Sequence, residues 1–210
     1  MNHKVYAIQQ LRSATGTHVL CLTEMWHEDS DAISIKKLHA NDLQVLEHSK
    51  PIPKSAKTDC ISFINHSSVD IVAPTNVKLE KVPLIYVPKS FEHLCTHITS
   101  RGASYVGVLL YRPGSQPVST LFFEKLKVIL VAKLSIPIII VCGDTNVRLD
   151  QQEDIWTICF TDLLTSFGRK QRINHLTHDQ NGILDVVITF HCSSSNIAGH
   201  LPSTKVRPLV

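Results

Sequence analysis

The chain has 210 residues, 43% of them hydrophobic, and a formal net charge of only +3 at pH 7. That length and apolar content can bury one substantial core, so we expect a single domain over residues 1–210. The weakly basic balance is compatible with a polyanionic partner without demanding one.

The sequence predicts an intracellular protein, nuclear or cytoplasmic, that is neither secreted nor embedded in a membrane. Its first residues lead into a polar segment rather than the apolar core of a signal peptide. The longest apolar region, 128–142, contains Lys133 and Pro137 and falls short of the roughly 20 residues of a membrane span. The six cysteines are widely spaced without a CxxC pair, which is typical of small core residues rather than of disulfides.

Apolar periodicity predicts strands both in hairpin-like pairs and in strand–helix–strand units, and therefore mixed sheets. The predicted helices cover 4–13, 118–134 and 155–167. In the second of them, Leu121 belongs to the apolar stripe that is expected to face the core. The predicted strands cover 18–23, 59–64, 69–73, 91–99, 105–111, 138–141 and 183–190.

Two of these strands raise questions about single residues. His93 and His97 have a spacing that invites a zinc site, but on a strand they lie roughly 13 Å apart. One zinc ion cannot bind both across that distance, so we expect partly exposed strand histidines. The strand 105–111 ends in YRPGSQP, and Pro113 cannot continue a central ladder. Tyr111 is therefore expected at the rim of the sheet.

The segment IPIIIVCGDTNVRLD, residues 136–150, carries the clearest chemical signal. Its β-branched run suits a strand covered on both faces. Asp144 and Asn146 follow it, and in an extended chain they point the same way. The carboxylate can take a proton from water, and the amide can hold an oxygen atom in place. Together they suit hydrolysis of a phosphate ester. The alternative is a plain Gly-Asp turn after a core strand.

Glu24, Asp144 and Asp185 all fall within or just after apolar strand-like sequence, where an unpaired carboxylate costs several kcal/mol. A shared site for Mg2+ and a phosphate explains the three together, since Mg2+ binds one or two carboxylates and leaves the other positions to water and phosphate oxygens. Separate helix caps or ion pairs are the alternative for each carboxylate.

Four blocks, LCLTEMW, YRPGS, IIIVCGDTNVRLD and THDQNGILDVVIT, together resemble the endonuclease domains of non-long-terminal-repeat retrotransposons. These domains belong to the endonuclease/exonuclease/phosphatase superfamily, which includes apurinic/apyrimidinic endonucleases and deoxyribonuclease I. The resemblance implies a four-layer α/β sandwich with two mixed β-sheets packed face to face and helices outside. It also implies Mg2+-dependent (or Mn2+-dependent) nicking of DNA that leaves a 3′ hydroxyl to prime reverse transcription.

The resemblance also assigns roles to single residues. Glu24 would be the metal ligand, and Tyr111 would border the scissile phosphate. Asp144 would orient or deprotonate the attacking water, and Asn146 would hydrogen-bond a phosphate oxygen. Thr177 would support the site. Asp185 would orient a catalytic histidine.

The sequence departs from the family pattern in several places. It contains no Ser-Asp-His block. His200 is at best a poor stand-in for the catalytic histidine and is otherwise interpreted as a loop residue. The family's first-strand Asn would precede Met1, so we expect the domain to be truncated at both ends and its sheets to be incomplete at edge strands. The glycine-rich turn expected before strand 59–64 is absent, and Thr145 stands where the family has an aromatic residue.

Three functions therefore remain open: a DNA-nicking endonuclease, a catalytically inactive DNA-binding relic of that domain, and a phosphatase of the same superfamily that acts on small phosphoesters. The oligomeric state is also left open.

Overall fold

The computed structural model describes residues 2–15, 19–23, 42–47, 69–83, 90–132, 138–178 and 182–191. In these ranges the helices are α1 (Asn2–Thr15), α2 (Thr120–Val131) and α3 (Ile155–Ser166). The strands are β1 (Leu20–Thr23), β2 (Leu43–Glu47), β3 (Val69–Pro74), β4 (Lys78–Lys81), β5 (Glu92–Ser100), β6 (Ala103–Tyr111), β7 (Ile138–Asp144), β8 (Lys170–Gln171) and β9 (Asp185–His191).

The strands form two sheets. The smaller has the order β1-β3-β2 and is antiparallel, and the larger has the order β4-β5-β6-β7-β9-β8. In the larger sheet β6 and β7 are parallel, while the other described pairs are antiparallel. Because β6 and β7 are parallel, their carboxyl ends lie at the same edge, and antiparallel β9 begins there. This edge brings residues from three distant parts of the sequence together.

Apolar contacts arrange the elements in four layers. Ile8 and Leu11 of α1 pack on one face of the smaller sheet, against Leu20, Leu22 and Leu43. The other face of that sheet meets the larger sheet through a second core, which contains Val69, Ile71, Leu94, Leu109 and Tyr111. Strand β3 is buried along its whole length because it is the central strand between these two cores.

Helices α2 and α3 cover the opposite face of the larger sheet. The two helices contact each other through aromatic rings, with those of Phe123 and Trp156 stacked at a centroid distance of 6.0 Å. Helix α3 begins at Asp154, whose Oδ1 accepts hydrogen bonds from the backbone N–H groups of Trp156 (2.9 Å) and Thr157 (3.1 Å). This N-cap satisfies donors that have no partner within the helix.

This architecture confirms the predicted α/β sandwich, although the described strands of the smaller sheet are purely antiparallel rather than mixed. The three predicted helices and most predicted strands are confirmed with small changes at their ends. Strands β2, β4 and β8 were not predicted, and the strand predicted over 59–64 lies outside the described residues. None of the described helices is long and apolar enough to cross a membrane.

Three predictions about burial were wrong. Leu121 is 47% exposed, because α2 turns Phe122 and Phe123 toward the sheet instead. His93 is buried, since its ring packs edge-on against Phe91 beneath the helical layer. Cys21 is exposed rather than in the core, whereas Cys95 is buried as expected.

Candidate active site

Tyr111, Asp144 and Asp185 form one row across three adjacent strands. Tyr111 ends β6 and pairs with Asp144 at the end of β7, and Asp144 pairs with Asp185 at the start of β9. Paired residues of neighbouring strands share a face of the sheet, and Tyr111 belongs to the core between the two sheets. The row therefore lies on the inner face, at the edge where β6 and β7 end.

Asn146 is bound to Asp144 by a tight turn. Its backbone N–H donates to Oδ1 of Asp144 at 2.8 Å, and its side-chain Nδ2 donates to Oδ2 at 3.0 Å. The strand ends at Asp144, and Asn146 has a φ of +50°, a left-handed conformation that asparagine tolerates better than most residues. The predicted proximity of the Asp144 and Asn146 side chains is confirmed. The predicted cause, an extended chain through both residues, is wrong because the chain turns at Asn146.

The carboxamide of Asn146 is occupied within the protein. Besides Asp144, Nδ2 donates to the carbonyl oxygen of Arg112 at 2.8 Å, so its two hydrogens both have acceptors. A Cβ atom at Gly114 would lie 2.9 Å from Oδ1 of Asn146, which leaves room for a glycine there and little else. In this arrangement Asn146 orients Asp144, and donation to a phosphate would require one of these bonds to exchange.

Arg112 is the main brace of this turn. Its side chain is buried, with Nε donating to the carbonyl of Thr145 and Nη2 to the carbonyl of Asn146, both at 2.7 Å. Nη1 donates to the carbonyls of Pro113 (3.2 Å) and Gln116. Burial lowers the pKa of the guanidinium, and the nearby negative charge of Asp144 acts in the opposite direction. Sequence reasoning missed Arg112, whose only signal is its place in the YRPGS block.

Gly143 lets β7 approach β6 at this point. Its φ is +129°, and a Cβ atom there would lie 1.9 Å from the backbone oxygen of Leu110. No side chain fits against a backbone atom at that distance. The glycine of the GDTN block is thus required by the close approach of two strands, directly before the carboxylate.

Thr177 supports the start of β9. Its Oγ1 accepts hydrogen bonds from the backbone N–H groups of Leu184 (3.1 Å) and Asp185 (3.2 Å). Thr145, which is fully buried, holds the same segment from the other side through a 3.1 Å bond from its N–H to the carbonyl of Leu184. Asp185 is therefore fixed through its backbone on two sides.

The loop after Asn146 is fixed by an ion pair between Arg148 and Asp150. Nη2 of Arg148 lies 2.8 Å from Oδ2 of Asp150, and Oδ1 accepts from the N–H of Ile183 at 2.9 Å. The bond from Arg148, followed by the bond from Ile183, lowers the pKa of Asp150 to about 2. Asp150 thus joins the loop after β7 to the segment before β9.

Comparison with solved structures finds the same layered arrangement in proteins of low sequence identity. The endonuclease domain of TRAS1, a telomere-specific non-LTR retrotransposon, has a TM-score of 0.60 at 13% identity, covering 84% of this chain and 74% of that one. Danio rerio TDP2 complexed with a single-strand DNA product has a TM-score of 0.60 at 14% identity, covering 92% and 78%. An endonuclease/exonuclease/phosphatase family protein from Leptotrichia buccalis has a TM-score of 0.60 at 11% identity, covering 89% and 80%.

The chain has the endonuclease/exonuclease/phosphatase fold. This confirms the fold that the sequence resemblance implied. No protein-family model and no curated protein sequence matches the chain.

Not every predicted site residue can be placed on this fold. Glu24 and His200 lie outside the described residues. Tyr111 ends its strand as predicted, but its side chain is only 3% exposed because it belongs to the core between the sheets. Within the described ranges, no group of three or more His, Cys, Asp or Glu side chains could hold a metal ion.

Proposed function

We propose that this chain is a DNA-nicking endonuclease domain derived from a retrotransposon protein, which hydrolyses a phosphodiester bond with the help of Mg2+ or Mn2+. The single observation that carries the proposal is the row Tyr111–Asp144–Asp185, with Asn146 clamped onto the central carboxylate. Two carboxylates at paired positions of adjacent strands are costly for stability, because like charges directly opposite each other destabilise a sheet. Chemistry at this edge would account for that cost.

The fold comparisons supply the substrate class of the proposal. TRAS1 is a retrotransposon endonuclease domain, and the TDP2 structure holds a single-strand DNA product. The formal charge of +3 on this chain is in keeping with a polyanionic substrate. Together with the four sequence blocks, these likenesses favour DNA over a small phosphoester.

The side chains on this edge suit activation of water. Asp144 is half-buried, and Asn146 donates to both of its carboxylate oxygens. A carboxylate held in this orientation can accept a proton from a water molecule as a phosphorus–oxygen bond forms. Tyr111 is paired with Asp144 from β6, and the brace from Arg112 fixes the orientation of Asp144 through Asn146.

A hard divalent cation is the cofactor that we propose for this edge of the sheet. Carboxylate oxygens are the ligands that Mg2+ prefers, and one or two suffice because water and phosphate complete its coordination. We propose that Glu24 holds the ion, which would offset the repulsion between Asp144 and Asp185. When bound, such an ion stabilises negative charge that develops on phosphate oxygens.

A plasmid-nicking assay in Mg2+ tests the proposal. Purified chain should convert supercoiled plasmid to the open circle, and Asp144→Ala should reduce that rate by about 10²-fold to 10⁴-fold, as expected for loss of a proton acceptor. Asp162→Ala is the matched control, since Asp162 is exposed on α3, in the layer beyond the opposite face of the sheet. It should nick at the unaltered rate.

Two further measurements on the same chain separate the alternatives. DNA binding that weakens steeply with salt but never leads to nicking would replace the proposal with the DNA-binding relic. Faster turnover of a small phosphomonoester than of plasmid would replace it with the phosphatase.

A further inference from the structure

Cys21 and Cys142 face each other across the two sheets. In β1 the neighbours Leu20 and Leu22 pack toward α1, so Cys21 between them points to the opposite face, toward the larger sheet. Strand β1 lies against β7, where Cys142 packs on the core between the sheets. Both cysteines therefore face the space between the two sheets, on strands that are in contact.

The environments of the two thiols differ in a way that suits oxidation. Cys21 is exposed and Cys142 is half-buried, and both are free thiols. A side-chain hydrogen bond with Cys142 lowers the pKa of Cys21. The same hydrogen bond, together with burial, raises the pKa of Cys142 well above its usual value. A solvent-accessible cysteine beside a second cysteine is the arrangement of redox-sensitive pairs.

We propose that Cys21 and Cys142 form a reversible disulfide between the two sheets when the protein meets a hydroperoxide. The sulfur of Cys21 attacks the peroxide, the O–O bond breaks, and a sulfenic acid forms with release of water or the corresponding alcohol. The sulfur of Cys142 then attacks that sulfenic sulfur, forms the S–S bond and releases a second water molecule. Two electrons pass from the sulfur pair to the peroxide, and a dithiol returns them by exchange.

The position of the pair gives the cross-link a consequence for the candidate active site. Cys142 precedes Asp144 by two residues on the same strand, and in the sequence Glu24 follows Cys21 by three. A disulfide brings its Cβ atoms to about 3.8 Å and so fixes the spacing of the two strands. The proposal itself does not rest on the nuclease function, because the cross-link is detected without any measurement of activity.

The experiment oxidises the folded full chain with hydrogen peroxide, blocks remaining thiols with N-ethylmaleimide, and maps the digested protein by mass spectrometry. We expect the intact protein to lose the mass of two hydrogens and to yield a peptide pair that joins Cys21 to Cys142. Dithiothreitol should reverse both changes.

Single serine variants supply the controls. Cys21→Ser and Cys142→Ser should each abolish the cross-link. Cys159→Ser should leave it intact, because Cys159 packs with the helical layer on the other face of the larger sheet. Oxidised wild-type protein without a Cys21–Cys142 peptide, or with these cysteines joined mainly to others, overturns the proposal whatever the variants do.

Discussion

Replacement of Arg112 by methionine tests how much the brace beneath Asn146 contributes to stability. The guanidinium donates bonds of 2.7 Å to the carbonyls of Thr145 and Asn146, in addition to its bonds within the 113–116 turn. A hydrogen bond from a charged group contributes about 1.5–3 kcal/mol, so loss of the two short bonds alone should lower the free energy of unfolding by about 3–6 kcal/mol. Methionine fills a similar length without any donor, so it isolates the hydrogen bonds from the packing.

Urea unfolding measures this change directly. With a slope of about 2 kcal/mol per M, the midpoint should fall by about 2 M. Arg172→Met is the matched control, because exposed Arg172 makes a 2.8 Å bond to Oγ1 of Thr189 and surface changes of this kind stay within about 0.5 kcal/mol. Arg112→Lys should recover less than half of the loss, since an ammonium group cannot donate in a planar fork.

The same variants report on the turn itself. In Arg112→Met the backbone amide and the side-chain amide of Asn146 should exchange their hydrogens faster than in wild-type protein, which nuclear magnetic resonance can follow. If Arg112→Met and Arg172→Met unfold at the same urea concentration, Arg112 does not hold the turn and the role assigned to it is wrong.

Three further predictions concern the surroundings of the row. Gly143→Ala should prevent accumulation of soluble folded protein, because its Cβ would lie 1.9 Å from the backbone oxygen of Leu110. Circular dichroism checks this, and a normally folded variant would contradict the close approach of β6 and β7. Thr177→Val should lower the free energy of unfolding by about 1–3 kcal/mol, since two backbone N–H groups lose their acceptor; an unchanged urea midpoint would count against these bonds. The pKa of Asp150 is lowered from 3.8 to about 2, so its contribution to stability is present above pH 3.8 and is lost as the pH falls toward 2. As the pH falls from 3.8 to 2, the melting temperature of Asp150→Asn should therefore fall less than that of wild-type protein. Equal falls in the two melting temperatures would refute the ion pair with Arg148.

The elements that the sequence predicted are those with a strong apolar pattern. These elements bury apolar side chains against large cores, and this burial requires the regular spacing of apolar residues that the sequence shows. They are helices α2 and α3 and strands β5, β6, β7 and β9. The charged stretch Lys78–Lys81 has no such pattern and is exposed along most of its length. It forms an edge strand because its backbone pairs with β5, a tertiary contact that side-chain composition does not reveal.

The candidate site was predicted more fully in its residues than in its geometry. A carboxylate at the end of an apolar run is visible in one sequence, which is why Asp144 and Asp185 could be proposed. The register that places them opposite each other depends on strand pairing between distant segments. Arg112 was missed for the same reason, since the carbonyls it binds at Thr145 and Asn146 come from a loop more than thirty residues further along the chain.

The alternation along β7 makes the length of this strand as important as its composition. Ile139 and Val141 pack toward the helices, whereas Cys142 faces the smaller sheet and Asp144 shares the inner row with Tyr111. Deletion of one residue within the strand would reverse every side chain beyond it and turn the carboxylate into the helical layer. Changes of chain length inside this strand are therefore not tolerable, a rule that any grafting or insertion experiment on this scaffold can use.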